Sequence, residues 1–221
     1  MTFIDVFHNV AQLRREHVFP DDRLLPITHQ EDARTAATGW IGRDYQPGGI
    51  VLLGVNPGGG GDGYRGNPTD AELYRQLREF RDAPPARRGV AFAELCSSWV
   101  AIQRTHSIWR VIAATLDAAG ATVDEVAFLN MLPFRTREDK PAPVAVMTAA
   151  WDRATRPQLE ALSPKAMVAL GFKAANALAR LSDPGSMYRI FRVKRARGDT
   201  RVTDEAQAAL AELREWIDSR G

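Results

Sequence analysis

The stretch from Gly49 to Tyr64, GIVLLGVNPGGGGDGY, constrains this chain more than any other. Its first half is an unbroken apolar run, which suits a strand buried on both faces of a parallel sheet. Its second half is proline and glycine, which cannot continue that strand and must turn. In open α/β sheets ligands bind in the crevice outside such strand ends. Asn56 is the first polar side chain beyond the run, and its carboxamide offers both a donor and an acceptor. The glycines carry no Cβ and let another molecule approach the backbone. Asn-Pro followed by glycines is also ordinary turn chemistry, so a site needs a second feature.

Two nucleotide-binding readings can be tested on the glycines. A phosphate-binding P-loop needs Lys and then Ser or Thr after its last glycine, and neither follows Gly63. Gly58, Gly60 and Gly63 match dinucleotide spacing, but that fingerprint opens a helix at its third glycine. Here Tyr64-Arg65-Gly66-Asn67-Pro68 intervenes, and the helix is expected to start at Thr69 or Asp70. A nucleotide-dependent enzyme therefore has spacing alone in its favour.

Along the chain, residues 1–20 read as a helix with Phe3, Val6, Phe7, Val10 and Leu13 on one stripe, ended by Pro20. His8 and His17 lie near the stripe and read as surface or half-buried histidines. Residues 21–48 are a polar connecting region with room for one short helical turn. Thr69–Arg81 is a charged helix with Leu73, Leu77 and Phe80 inward, and Asp70, Glu72 and the arginines on a solvated face. Two helices meeting near Thr105-His106 fill Val90–Ala119. Val123–Asn130 is a second strand, Val144–Leu162 a helix, and Ala166–Gly171 a third strand followed by a helix from Phe172 to Leu181. A last strand falls within residues 186–202, and Thr203 caps a closing helix from Asp204 to Ile217. Strands separated by helices predict a three-layer α/β/α fold with a mostly parallel central sheet. At 221 residues this is a single domain, 1–221, with an N-terminal helix and connecting extension (1–48) ahead of a core (49–221).

A formal net charge of only +2 does not announce a nucleic-acid binder, so any such case rests on local clustering. The single Cys96 excludes an internal disulfide and leaves too few thiolates for a structural zinc or iron–sulfur site. A cytoplasmic protein fits. The opening residues lack the basic region and long apolar core of a signal peptide, and no apolar run reaches the roughly 20 residues that span a bilayer.

The second strand repeats the signature of the first. It ends at an asparagine followed shortly by proline, Phe128-Leu129-Asn130-Met131-Leu132-Pro133. In a parallel sheet both strand ends open on one edge, so Asn56 and Asn130 are expected to face one pocket. A carboxamide matches the N–H and C=O edge of a pyrimidine.

These motifs resemble the uracil-DNA glycosylase superfamily. Gly54-Val55-Asn56-Pro57-Gly58 looks like its water-activating motif, closest to the mismatch-specific and single-strand-selective branches, where Asn replaces a carboxylate. Phe128–Pro133 resembles the strand whose asparagine hydrogen-bonds the extruded base, and residues 161–171 resemble the third strand. The resemblance covers roughly residues 49–181. It implies a uracil-DNA-glycosylase-like fold and hydrolysis of the bond between a deaminated base and its deoxyribose, without metal or other cofactor. Asn56 would position the water. Gly54, Pro57, Gly58, Tyr64 and Asn130 would hold the base, with Tyr64 equally readable as packing.

One departure is plain. The family's second motif, a His-Pro-Ser or Asn-Pro-Ser loop before the last helix, is replaced by Arg192-Val193-Lys194-Arg195-Ala196-Arg197-Gly198-Asp199-Thr200-Arg201. From Arg189 to Arg201 six basic residues oppose one acid, a local net charge of +5. Arg192, Lys194, Arg195, Arg197 and Arg201 are therefore candidates for DNA-backbone contact, although a solvated basic loop reads the same way. The expected partner is single- or double-stranded DNA bearing a damaged base, bound by a monomer away from membranes. The missing histidine loop leaves open a catalytically silent nucleic-acid or nucleobase binder on the same fold.

Overall fold

The computed structural model describes residues 2–58, 68–181, 188–194 and 202–220. The chain is α/β, with a mixed, mostly parallel sheet. Its elements are α1 (Phe3–Ala11), α2 (Gln30–Arg34), β1 (Trp40–Ile41), β2 (Ile50–Gly54), α3 (Pro68–Asp82), α4 (Arg88–Arg104), α5 (Trp109–Ala119), β3 (Val126–Asn130), α6 (Val144–Ala150), α7 (Arg156–Leu162), β4 (Ala166–Leu170), α8 (Phe172–Leu181), β5 (Arg189–Val193) and α9 (Asp204–Asp218). Among the described residues the strands run in the order β1-β3-β2-β4-β5.

The chain divides into two compact units, neither continuous in sequence. One comprises residues 41–55, 103–129 and 162–221 and holds most of the sheet. β2 pairs in parallel with β4, with Ile50 opposite Ala166 and Leu53 opposite Ala169, and β4 pairs in parallel with β5. Val51, Leu52, Leu53 and all five residues of β4 are buried, as the apolar runs require of strands covered on both faces. On the other flank Gly42 N–H donates to Val126 and Asp44 N–H to Asp124. One number rises as the other falls, so β1 runs antiparallel to β3. Gly42 must be glycine here, because a Cβ would lie 2.3 Å from the Asp124 carbonyl oxygen. α8 packs on β4 and β5 through Ala174, Ala175 and Leu178, and α9 packs on β5, where Trp216 meets Phe191 edge-on at 5.6 Å. Thr203 caps α9, its hydroxyl accepting from Ala206 N–H.

The other unit comprises residues 1–40, 56–102 and 130–161. α1 starts at a capping box in which Thr2 Oγ1 accepts from Asp5 N–H and the Asp5 carboxylate accepts from Thr2 N–H. It ends at Ala11, well short of Pro20, and a 3₁₀ turn at Arg15–His17 follows. Its Phe7 contacts Phe92, which in turn contacts Phe80 of α3. His8 is buried, and its Nε2 and the Gln12 amide both donate to the carbonyl of Arg81 at the end of α3. These bonds satisfy an orphan carbonyl of that helix end. A second apolar cluster gathers Val18, Phe19, Ala36, Leu132, Phe134, Val146 and Ala150.

The expected helix over Val144–Leu162 is interrupted. α6 and α7 are joined by a π-helical turn, Trp151–Thr155, which inserts a residue and rotates the face presented downstream. β1 and α2 occupy the region read as a connector.

Candidate functional site

β2 ends at Gly54, and Val55 packs half-buried against Ala169, Ala174 and Ala175. Asn56 is half-buried directly beyond it. Its Nδ2 donates to the carbonyl of Pro57 at 3.2 Å. That bond fixes the carboxamide and, among the described residues, leaves Oδ1 as an acceptor with no protein partner. Gly58 is exposed, and a Cβ built there meets no atom within 4 Å. The protein's own packing therefore does not require glycine at this position. Tyr64 and Gly59–Gly63 lie outside the described residues.

Asn130 is the last residue of β3, the sheet neighbour of β2, and is only 5% exposed. Among the described residues its side chain has no hydrogen-bond partner. Its backbone is firmly held. The π turn places the buried Thr155 hydroxyl where it donates to the carbonyls of Met131 at 3.0 Å and Asn130 at 3.5 Å. Ala37 N–H donates to Pro133 at 2.7 Å, and the Arg15 guanidinium donates to the Arg135 carbonyl at 2.8 Å. Residues 130–136 are all buried, which is why Pro133 and Phe134 do not read as a surface loop.

Arg135 then turns into the core. Its Nη2 lies 3.2 Å from Oδ1 of Asp70, in the first turn of α3, with side chains 4% and 9% exposed. Its guanidinium sits 4.6 Å over the ring of Tyr74, whose hydroxyl is pushed up to about 12 by burial, then modulated by the Arg135 and Asp70 charges. Asp70 was expected on a solvated face. It is buried instead, because it continues the inward stripe of Leu73, Leu77 and Phe80 and finds a cation there. Glu72 and Arg75 do lie on the solvated face expected of them, where Arg75 pairs with Glu72 and Glu79, whereas Arg78 is drawn in against Asp32 at 2.7 Å. The consequence is mechanical: the first turn of α3, directly after the glycine-rich loop, is bound to the segment that follows Asn130. Arg15 is also buried, and desolvation lowers it to about 10, so it remains a cation at neutral pH.

Of the basic residues nominated for DNA contact, Arg192 and Lys194 are described, and Arg195, Arg197 and Arg201 lie outside the described residues. Arg192 is exposed. Lys194 donates to Glu205 at 2.5 Å, and Arg189 donates to Glu212 at 2.6 Å. Acids on α9 thus neutralise part of the basic cluster, which counting along residues 189–201 does not reveal. Among the described residues no three His, Cys, Asp or Glu side chains group to hold a metal ion, and no helix is long and apolar enough to cross a membrane.

The sequence reading gives no role to Thr155, Arg135 or Arg15 and puts Asp70 on the solvated face. Only Asp70 carried a signal, its position on the apolar stripe of α3. No protein-family model and no curated protein matches the chain.

Proposed function

We propose that this protein is a monofunctional DNA-base glycosylase with the three-layer architecture of the uracil-DNA glycosylase superfamily, acting on uracil or a related deaminated base. The observation that carries the reading is a pair of carboxamides at the ends of neighbouring strands: Asn56 beyond β2, and Asn130 closing β3, 5% exposed on a clamped backbone. In this reading both face one pocket. Asn130 uses its donor and acceptor to read the Watson–Crick edge of a base flipped out of the stack. Asn56, its amide tied to Pro57, presents Oδ1 to a water and aims it at C1′ of the deoxyribose.

Water attacks C1′ as the glycosidic C1′–N bond breaks. The bonding pair leaves with the base, and the proton lost by the water ends on the base, giving an abasic sugar and a free nucleobase. A neutral amide is a poor general base, so Asn56 orients more than it deprotonates, and the chemical step is slow. In this reading backbone N–H groups of the turn beyond β2 stabilise the charge that develops on the departing base.

The test is abasic-site formation on single- and double-stranded oligonucleotides carrying uracil, hypoxanthine or xanthine. Wild type is expected to cleave at least one of them, and Asn56→Ala to lose about a hundredfold or more of the single-turnover rate. Absence of activity on every deaminated base overturns the enzymatic reading. A second reading, a silent nucleobase or nucleic-acid binder, is favoured by one observation, the lack of any histidine between Arg192 and Arg201. It predicts salt-dependent oligonucleotide binding with no abasic product.

A further inference from the structure

A small cleft of about 60 Å³ opens between the ends of β4 and β5, lined by Gly171, Phe172, Asn176, Arg192 and Lys194 among others. Phe172, the first residue of α8, is 62% exposed, although the inner face of that helix is already filled by Ala174, Ala175 and Leu178. Leaving a phenyl ring in water forfeits the gain of burying it, roughly 25 cal/mol per Å² of apolar surface. Asn176 lies one helical turn beyond Phe172, on the same side of α8, and is exposed beside it. Across the cleft, Lys194 is held by Glu205, so Arg192 contributes the cation with no ion-pair partner among the described residues.

An aromatic face, a carboxamide and an uncompensated guanidinium around one small hollow match the parts of a nucleotide. We propose that this cleft is a second nucleotide subsite that takes an unpaired nucleotide of single-stranded DNA, its base stacked on Phe172 and its phosphate on Arg192. The inference rests on the nucleic-acid reading above and adds a strand preference to it. Every base has a π face, so the site is tolerant of sequence, and a base locked in a duplex stack does not reach it.

The experiment is fluorescence anisotropy of the full chain with a labelled, undamaged single-stranded 15-mer and with the same sequence as a duplex. Phe172→Ala is expected to weaken single-strand binding roughly tenfold, with the duplex unchanged within twofold and the salt slope unaltered, since no phosphate contact is lost. Phe172→Trp is expected to retain wild-type affinity, whereas Phe172→Leu, which keeps apolar area but no π face, behaves like the alanine variant. Arg192→Gln is expected to reduce the salt slope by roughly 0.7 on the single strand, the value for one phosphate. Single-strand affinity unchanged in Phe172→Ala, or Leu serving as well as Trp, overturns the subsite while leaving the glycosylase reading intact. A wild-type chain that neither binds DNA nor forms abasic sites overturns both. Because Phe172 is exposed, these variants keep the fold, and matched thermal transitions verify it.

Discussion

Replacing Asp70 with Asn removes one charge and almost no volume. It strips Arg135, 4% exposed, of the carboxylate 3.2 Å away. Breaking a buried ion pair by deleting one partner costs about 3–5 kcal/mol, because the remaining charge stays out of water. Arg135 keeps its stacking on Tyr74, so the lower end applies, about 3 kcal/mol. Total stabilities run at about 5–15 kcal/mol, and a chain of this size shifts by about 2–4 °C per kcal/mol. The expected fall in Tm is therefore about 6–12 °C. Urea unfolding of wild type, Asp70→Asn, Arg135→Met and the double variant measures the coupling directly. Removing both charges is expected to restore most of the loss, since a buried pair gains little over apolar packing. A loss below about 1 kcal/mol in Asp70→Asn, or a double variant equal to the sum of the singles, refutes the reasoning that this pair ties α3 to the segment beyond Asn130.

Three further outcomes follow from other residues. Burial, and then the charge of Arg88, lower the pKa of His8 below its ordinary 6.5, against the opposing bond to the Arg81 carbonyl. The unfolded chain thus binds more protons in that window, so stability is full above pH 6.5 and declines as pH falls through it toward the lowered folded value; His8→Gln should flatten this decline in urea titrations from pH 7 to 5, and an unchanged slope counts against it. Thr155→Val keeps the shape but removes the donor to Met131, at a cost of about 1–2 kcal/mol in unfolding, whereas a cost below about 0.3 kcal/mol shows that water replaces it. Gly58→Ala is expected to leave stability within about 0.5 kcal/mol, because its Cβ points into open space, while excision drops about tenfold or more as the methyl occupies room the substrate needs; full activity in that variant excludes close approach at Gly58.

Much of the fold was legible because its strands are short apolar runs bounded by glycine and proline. β4 and α8 fall where Ala166–Gly171 and Phe172–Leu181 read as such, and β2 where the apolar run after Gly49 does, whereas β3 begins only at Val126, because Val123–Glu125 of the expected Val123–Asn130 strand form a 3₁₀ turn. β1 escaped because two residues at a sheet edge carry no periodicity. The π turn at Trp151–Thr155 escaped because one inserted residue barely disturbs an apolar pattern, yet it brings Thr155 to Asn130. The partnership of Asp70 with Arg135 joins positions far apart in the chain, which no local pattern reports. Glu205 and Glu212 temper the basic cluster for the same reason: charge counted along a segment omits what packs beside it.

Excision by this protein requires Asn56 and Asn130 to serve one base. The side-chain amide resonances of both residues, assigned through Asn56→Ala and Asn130→Ala, can be followed during titration with free uracil. Both signals are expected to shift along a single binding curve, and Asn130→Ala to abolish the response at Asn56. A shift at one amide alone, or two shifts with different Kd values, contradicts a shared pocket.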